Sequence, residues 1–290
     1  MAYEVVVVGG GIGGLTAAAL LAARGVSVCL LEREPRVGGC AATIEHGGFT
    51  FEPGAGLYAC WQPGDVHERV FHELPASAPE VRRVAPPYVV RLPDGRDVRV
   101  GLDGGEHFAE LRAAFPECAD AAERFYLEAA QVGDALTRAA RRFPSLPTTS
   151  RLERLRLIAS EPRLAPLILA RAAHTAARHL ADTSTRFRRF VDAQLQIFAQ
   201  VPSERCSYLY AAVALSQPLR GMYAMRGGGA SLAAALAESI ELSGGTVRTN
   251  ATALRLTHDA AGRARGVELL SGESVEATRA VVSNLTVWDT

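Results

Sequence analysis

The sequence predicts an α/β fold: a parallel sheet opened by a strand–turn–helix–strand unit, joined by a small β-meander and interrupted by a mainly helical insertion. Three observations carry this expectation. The run "VVVVGGGIGGLTAAALLAARGVSVCLLERE", Val5 to Glu34, sets two apolar, β-type segments on either side of a glycine cluster and an Ala/Leu-rich helix. From Glu106 to Leu215 the pattern is helical. Beyond the glycines of "MRGGGASLAAALAESIELSGG" the chain returns to a helix, about Ser231–Ser243, followed by short β-type segments.

Composition bounds the answer. A chain of 290 residues, 48% apolar and 21% charged, holds about two globular domains. Its formal net charge is zero, so no global field favours nucleic acid. All 31 basic residues are arginine, which excludes lysine catalysis within this chain. The five cysteines (Cys29, Cys40, Cys60, Cys118, Cys206) form no CxxC pair, so neither a disulfide framework nor a zinc site is expected, and a reducing cytoplasm fits. The seven histidines show no metal spacing, and no paired carboxylates or nucleophile motif stand out.

The opening stretch comes first. Val5 to Ala23 carries no charge, yet a secretion signal needs a basic start, and Met1–Glu4 supplies only a negative one. A single helix through Gly9, Gly10, Gly11, Gly13 and Gly14 costs about 1 kcal/mol per glycine relative to alanine. A break there explains the pattern better: strand Val5–Val8, helix Ile12–Arg24 ended by Gly25 in the left-handed region, and strand Val26–Leu31 with Glu32 at its end. The turn fits G-x-G-x-x-G at Gly9, Gly11 and Gly14. Gly9 permits the sharp exit, Gly11 lets a pyrophosphate approach the backbone, and Gly14 lets helix pack on strand. The free amides at Ile12 and Gly13 then face the phosphates, and the helix dipole adds about 0.3–1 kcal/mol per anion. Glu32 is positioned to hold ribose hydroxyls, which disfavours a 2′-phosphate. The unit reads as Rossmann-like and dinucleotide-binding; spacing alone does not separate NAD from FAD.

The next segment, "REPRVGGCAATIEHGGFTFEPGAGL", resembles its counterpart in amine-oxidase-like flavoproteins. There the Gly-Gly pair, here Gly38 and Gly39, runs beside the FAD pyrophosphate. The run "GFTFEPGAG", containing Gly54, is similar to the family's approach to the flavin. Within that superfamily the chain resembles the phytoene desaturase, carotenoid isomerase and retinol saturase group. The later stretches "YAAVALSQPLRGMYAMRGGGASLAAALAESIELSGGTVRTNATALRL" and "AVVSNLTVWDT" support this, and the likeness covers Met1 to about Trp61 and about Ser207 to Thr290. The resemblance implies FAD as cofactor, backbone contact with adenine around Ala253, and hydride transfer between flavin and an isoprenoid or polyene, as desaturation, saturation or isomerisation. Cys40 stands where many relatives carry arginine, so the anion contact made there passes to Arg33 or Arg36. Relatives run beyond this length to a further glycine-rich flavin segment, so the chain reads as a fragment or a remnant. The alternatives are an amine or porphyrinogen oxidase-like enzyme and a non-catalytic nucleotide-binding remnant.

The remaining organisation follows. Residues 1–75 form a first nucleotide-domain segment, 76–218 a substrate- or membrane-facing insertion, and 219–290 a second nucleotide-domain segment. Val81–Val100, with "PDG" at Pro93–Gly95, reads as two strands and a turn, which either line a substrate cavity or form a plain hairpin. Pro144, Pro147, Pro162 and Pro166 separate helices. Phe187, Phe190, Val191, Leu195 and Phe198 read as one buried helix face. Arg138 to Phe190 holds twelve arginines against Glu153, Glu161 and Asp182, a balance of 12 − 3 = +9. On a helix, Arg163, Arg171, His174 and Arg178 share one arc, with Leu167 intruding, and Leu164, Ile168, Leu169, Ala172, Ala176 and Leu180 occupy the rest. That arrangement suits either a solvated arginine face or an anionic bilayer surface. A lipophilic small-molecule substrate, no nucleic acid, and a cytoplasmic location with peripheral membrane contact complete the expectation. In the second nucleotide segment, strands near Ala253–Thr257 and Ala264–Leu270 flank the turn "HDAAGR", and Ala280–Val282 is a last short strand.

Overall fold

The computed structural model describes all residues except 1, 55, 102–104, 143–149, 151, 153–155, 157–158, 160–169, 172, 287 and 289–290, and describes residue 142 by its backbone alone. Two compact units result: Met1–Arg83 with Tyr223–Thr290, and Val84–Met222. The breaks fall after Arg83 and Met222 rather than after residues 75 and 218. The reason is a strand pairing: β5 (Val81–Val84) and β8 (Met222–Met225) form a two-stranded sheet where the chain leaves and re-enters the first unit.

The first unit is built on β1 (Ala2–Val8), helix α1 (Ile12–Ala23) and β2 (Val28–Leu31), followed by the hairpin β3 (Ile44–His46) and β4 (Phe49–Phe51). Strands β1 and β2 run parallel, with Val5 opposite Val28 and Val8 opposite Leu31. Side chains alternate: Val5, Val7, Val28 and Leu30 pack against α1 and helix Gly228–Leu242, while Val6, Val8, Cys29 and Leu31 enter a second cluster on the other face. A strand covered on both faces needs this continuous apolar run, and each buried valine contributes about 1.5–3 kcal/mol over leaving it exposed. Gly25, at φ +80°, ends the helix: its N–H donates to Ala22 O and that of Val26 to Leu21 O. Two helix-end carbonyls are thereby satisfied, and β2 starts at Val28 rather than Val26 because Val26 is used in this cap.

The sheet order is β10–β11–β12–β1–β2–β9, with β9 at Thr246–Arg248, β10 at Ala253–His258, β11 at Ala264–Leu269 and β12 at Ser274–Ser283. The last strand is ten residues long, not three. Ser274–Glu276 pair antiparallel with β11, Val275 opposite Val267, and the strand from Glu276 to Ser283 pairs parallel with β1, Val282 opposite Val7. Glu276 and Arg279 interrupt the apolar pattern, yet Val275 and Ala277 alternate inward as a half-buried strand requires.

In the second unit β6 (Tyr88–Arg91) and β7 (Asp97–Val100) form the hairpin around "PDG". The segment Val81–Val100 thus holds three strands, because Pro86 and Pro87 break it and β5 pairs elsewhere. Val90, Val98 and Val100 of the hairpin enter the unit's hydrophobic core. Helix Thr185–Phe198 buries Phe187, Phe190, Val191 and Leu195, with Phe198 half-buried. Gln194 on the same face is also buried, its amide bonded to the hydroxyl of Tyr126 and the carbonyl of Phe190. The four prolines between 144 and 166 and most of the arc built on Arg163 lie outside the described residues. Of the arginines in that region, Arg171 pairs with Glu128, Arg186 with Asp94, and Arg188 with the carbonyls of Leu180 and Ala181. Among the described residues, no helix is long and apolar enough to cross a membrane.

Candidate functional site

The site lies at the carboxyl ends of β1, β2 and β12, where an open α/β sheet presents its loops. Gly9 leaves β1 at φ +99°, its N–H donating to Leu31 O at 2.8 Å. A Cβ on Gly14 would sit 2.1 Å from the carbonyl oxygen of Gly9, so only glycine lets α1 pack this closely on the strand. A Cβ on Gly11 would meet only Asn284, at 3.0 Å from Nδ2; its bare face otherwise looks onto open space. The turn has no acidic residue in the first helical turn and no side-chain cap, so its leading amides have no carboxylate of their own.

Gly38 and Gly39 close the other side. Gly38 N–H donates to Gly10 O at 2.7 Å, and a Cβ on Gly39 would lie 3.1 Å from Gly11 Cα. Glu32, 8% exposed, is held by two backbone donors: Gly10 N–H reaches one carboxylate oxygen at 2.6 Å and Glu34 N–H the other at 2.9 Å. Its carboxylate is part of the turn's own architecture, and each oxygen keeps a free lone-pair direction.

These groups surround one cavity of about 750 Å³. Of the residues expected from sequence, Gly9, Gly11, Glu32, Arg33, Gly39, Cys40 and Ala253 line it. Ile12, Gly13, Gly14 and Gly38 shape the turn without lining the cavity, and Gly54 lies behind Cys40, where a Cβ would be 2.8 Å from that residue's carbonyl oxygen. Arg33 is exposed and paired with Glu34 at 3.3 Å; Arg36 pairs with Glu45 at 3.6 Å and does not line the cavity. Of the two guanidinium groups, only that of Arg33 belongs to a residue of the cavity wall.

Sequence reasoning missed Asn284, Leu285, Ala251 and Thr252, which line the same cavity. Asn284 directly follows a strand that pairs with β1, but that pairing joins residues too far apart to read locally. It also missed Glu52. The carboxylate of Glu52 accepts from Gly229 N–H at 2.7 Å and from the Tyr58 hydroxyl, filling the amino end of helix Gly228–Leu242. The second glycine-rich turn is therefore closed by an internal anion, and burial together with Glu52 pushes the Tyr58 hydroxyl far above its ordinary range.

The size suits a nucleotide-sized ligand, and the glycine surfaces and leading amides suit its diphosphate. Fold and site together define a Rossmann-like α/β protein with a glycine-lined cavity at the carboxyl ends of its parallel strands. The family of flavin containing amine oxidoreductases matches residues 12–288, and the chain belongs to it; its cofactor class is therefore a flavin. The chain is 28% identical to prolycopene isomerase 1, chloroplastic, of an Oncidium hybrid cultivar, over 99% of this chain and 49% of that protein. It is 26% identical to the all-trans-retinol 13,14-reductase of Rattus norvegicus, over 94% of this chain and 45% of that one. The chain thus spans about half the length of these curated relatives. Solved structures with the same fold include an oxidoreductase from Methanosarcina mazei, with TM-score 0.62, 20% identity, and coverage of 98% of this chain and 59% of that one. A putrescine oxidase bound to putrescine gives TM-score 0.63 at 18% identity, covering 97% of this chain and 58% of that one.

Proposed function

We propose that this chain carries the FAD site of a FAD-dependent oxidoreductase whose substrate is an isoprenoid or other conjugated polyene. The observation that carries the proposal is the single cavity bounded by Gly11, Gly39 and Glu32. In this reading the diphosphate lies on the bare faces of Gly11 and Gly39 and on the amides leading α1. Glu32 receives the ribose hydroxyls through its remaining lone pairs, and the cavity wall at Ala251–Ala253 receives the adenine. FAD supplies the hydride acceptor or donor; the residues of this chain bind it, orient it and exclude water from its phosphates.

The polyene half of the proposal is supported by the similarity to a prolycopene isomerase and a retinol 13,14-reductase, whose names denote isomerisation and reduction of conjugated chains. Peripheral contact with an anionic bilayer belongs to the same proposal, since such a substrate partitions into lipid.

The purified chain is expected to carry flavin absorption bands, with FAD released on denaturation. Turnover of prolycopene, phytoene or retinol from liposomes, and none of putrescine, supports the polyene reading; turnover of amines alone overturns it. A colourless protein that takes up no FAD overturns the cofactor assignment.

A further inference from the structure

We propose that Asn284 is a ligand-contacting residue of this cavity, its carboxamide donating a hydrogen bond to the diphosphate of the bound dinucleotide. The inference rests on the reading of the cavity given above and adds a residue that neither the glycine pattern nor Glu32 implies.

The backbone fixes its place. Asn284 N–H donates to Val8 O at 2.8 Å, continuing the parallel ladder of β12 on β1 to the rim of the glycine turn. From there the side chain reaches across the turn. Its Nδ2 is 3.0 Å from where a Gly11 Cβ would be, and its Oδ1 is 2.6 Å from that position on Gly13. A half-turn of the amide exchanges the two atoms, so a donor remains over the turn in either orientation. The carboxamide has no hydrogen-bond partner among the described residues, and the residue is exposed at the cavity wall.

Charge makes this donor matter. The cavity wall contains two carboxylates, Glu32 and Glu34, and one arginine, Arg33, which is already paired with Glu34. Cys40 offers no positive charge. At the glycine turn itself, the donors facing a diphosphate are the backbone amides and the Asn284 carboxamide, both neutral. Hydrogen bonds to an ionised acceptor are about twice as strong as neutral ones, so a single neutral donor is worth a measurable fraction of the affinity.

The experiment compares FAD, ADP and adenosine binding to the wild-type chain, Asn284→Ala and Asn284→Asp by calorimetric titration. Asn284→Ala is expected to weaken FAD and ADP binding about tenfold. Asn284→Asp, which sets a negative charge against the diphosphate, is expected to weaken it by up to about 100-fold. Adenosine, which lacks the diphosphate, is expected to bind all three proteins alike. Because the side chain is exposed and unbonded, ligand-free melting temperatures should coincide. Unchanged ADP and FAD affinities in both variants overturn the inference alone, as does an equal loss for adenosine. A wild-type chain that binds none of the three ligands overturns the reading of the cavity and the inference with it.

Discussion

Removing the carboxylate of Glu32 should destabilise the protein even when no cofactor is present. Glu32 is 8% exposed, and its carboxylate accepts Gly10 N–H at 2.6 Å and Glu34 N–H at 2.9 Å. In Glu32→Ala the Gly10 amide, which is buried, loses its acceptor; the exposed Glu34 amide turns to water instead. An orphaned buried donor costs about 1–3 kcal/mol, so the Gly10 bond sets the magnitude. For a folding unit of this size each kcal/mol corresponds to about 2–4 °C, and the expected fall in melting temperature of the cofactor-free chain is about 2–12 °C. Glu32→Gln keeps one carbonyl oxygen for Gly10 but turns an amide N–H₂ toward a second donor, so an intermediate loss is expected. The assay is thermal denaturation followed by circular dichroism on all three proteins stripped of cofactor, then repeated with saturating FAD. If cofactor-free Glu32→Ala melts with the wild type while its FAD affinity falls, the carboxylate serves the ribose alone and the reasoning from the Gly10 bond is refuted. If both fall, the apparent loss of affinity has to be corrected for the folding term before it is assigned to the ribose.

Three further outcomes are expected. Gly11→Val should abolish flavin retention while the cofactor-free chain still folds, because a side chain there faces the open cavity and only the movable Asn284 amide; absorbance at the flavin bands and a melting curve read the two effects separately. Cys40, exposed in the cavity wall, should be alkylated readily and be protected by bound FAD, whereas Cys29, whose thiol burial pushes up to about 11, should stay unlabelled in the native protein; peptide mass mapping decides. His107 is buried beside Tyr126 with both ring nitrogens unpartnered, and burial lowers its pKa to about 4. Between the unfolded value near 6.5 and about 4, the unfolded chain therefore binds more protons than the folded one, so stability is fully present above about 6.5 and falls as the pH is lowered through that window. His107→Phe should flatten the slope of denaturant-measured stability in that window; an unchanged slope would show that His107 is not the group responsible.

The strand–glycine turn–helix–strand unit was legible because every cue in it is local. Four valines, a cluster of glycines, an Ala/Leu run and Gly25 at the helix end all act within a few residues of one another, and the Gly25 cap has the left-handed conformation that its lack of a Cβ permits. The Phe187–Leu195 face was legible for the same reason: helical spacing alone places those rings on one side. The length of β12 was not, because Glu276 and Arg279 interrupt its apolar pattern. What makes it one strand is pairing with β11 at its start, Ser274–Glu276, and with β1, some 270 residues earlier, from Glu276 onward.

The site divides in the same way. Sequence alone determined that Gly9, Gly11 and Gly14 form a tight turn between the first strand and its helix, and that an acid, Glu32, follows the second strand. Only the tertiary structure decided that this acid is also a bond acceptor for the turn itself, that Gly38 and Gly39 fold back onto Gly11, that Glu52 closes the second glycine turn, and that Asn284 stands over the first. The physical reason is range. Backbone conformation and periodicity are set by neighbours along the chain, whereas a carboxylate or carboxamide finds its partner through space, and that partner is fixed by sheet order and helix packing.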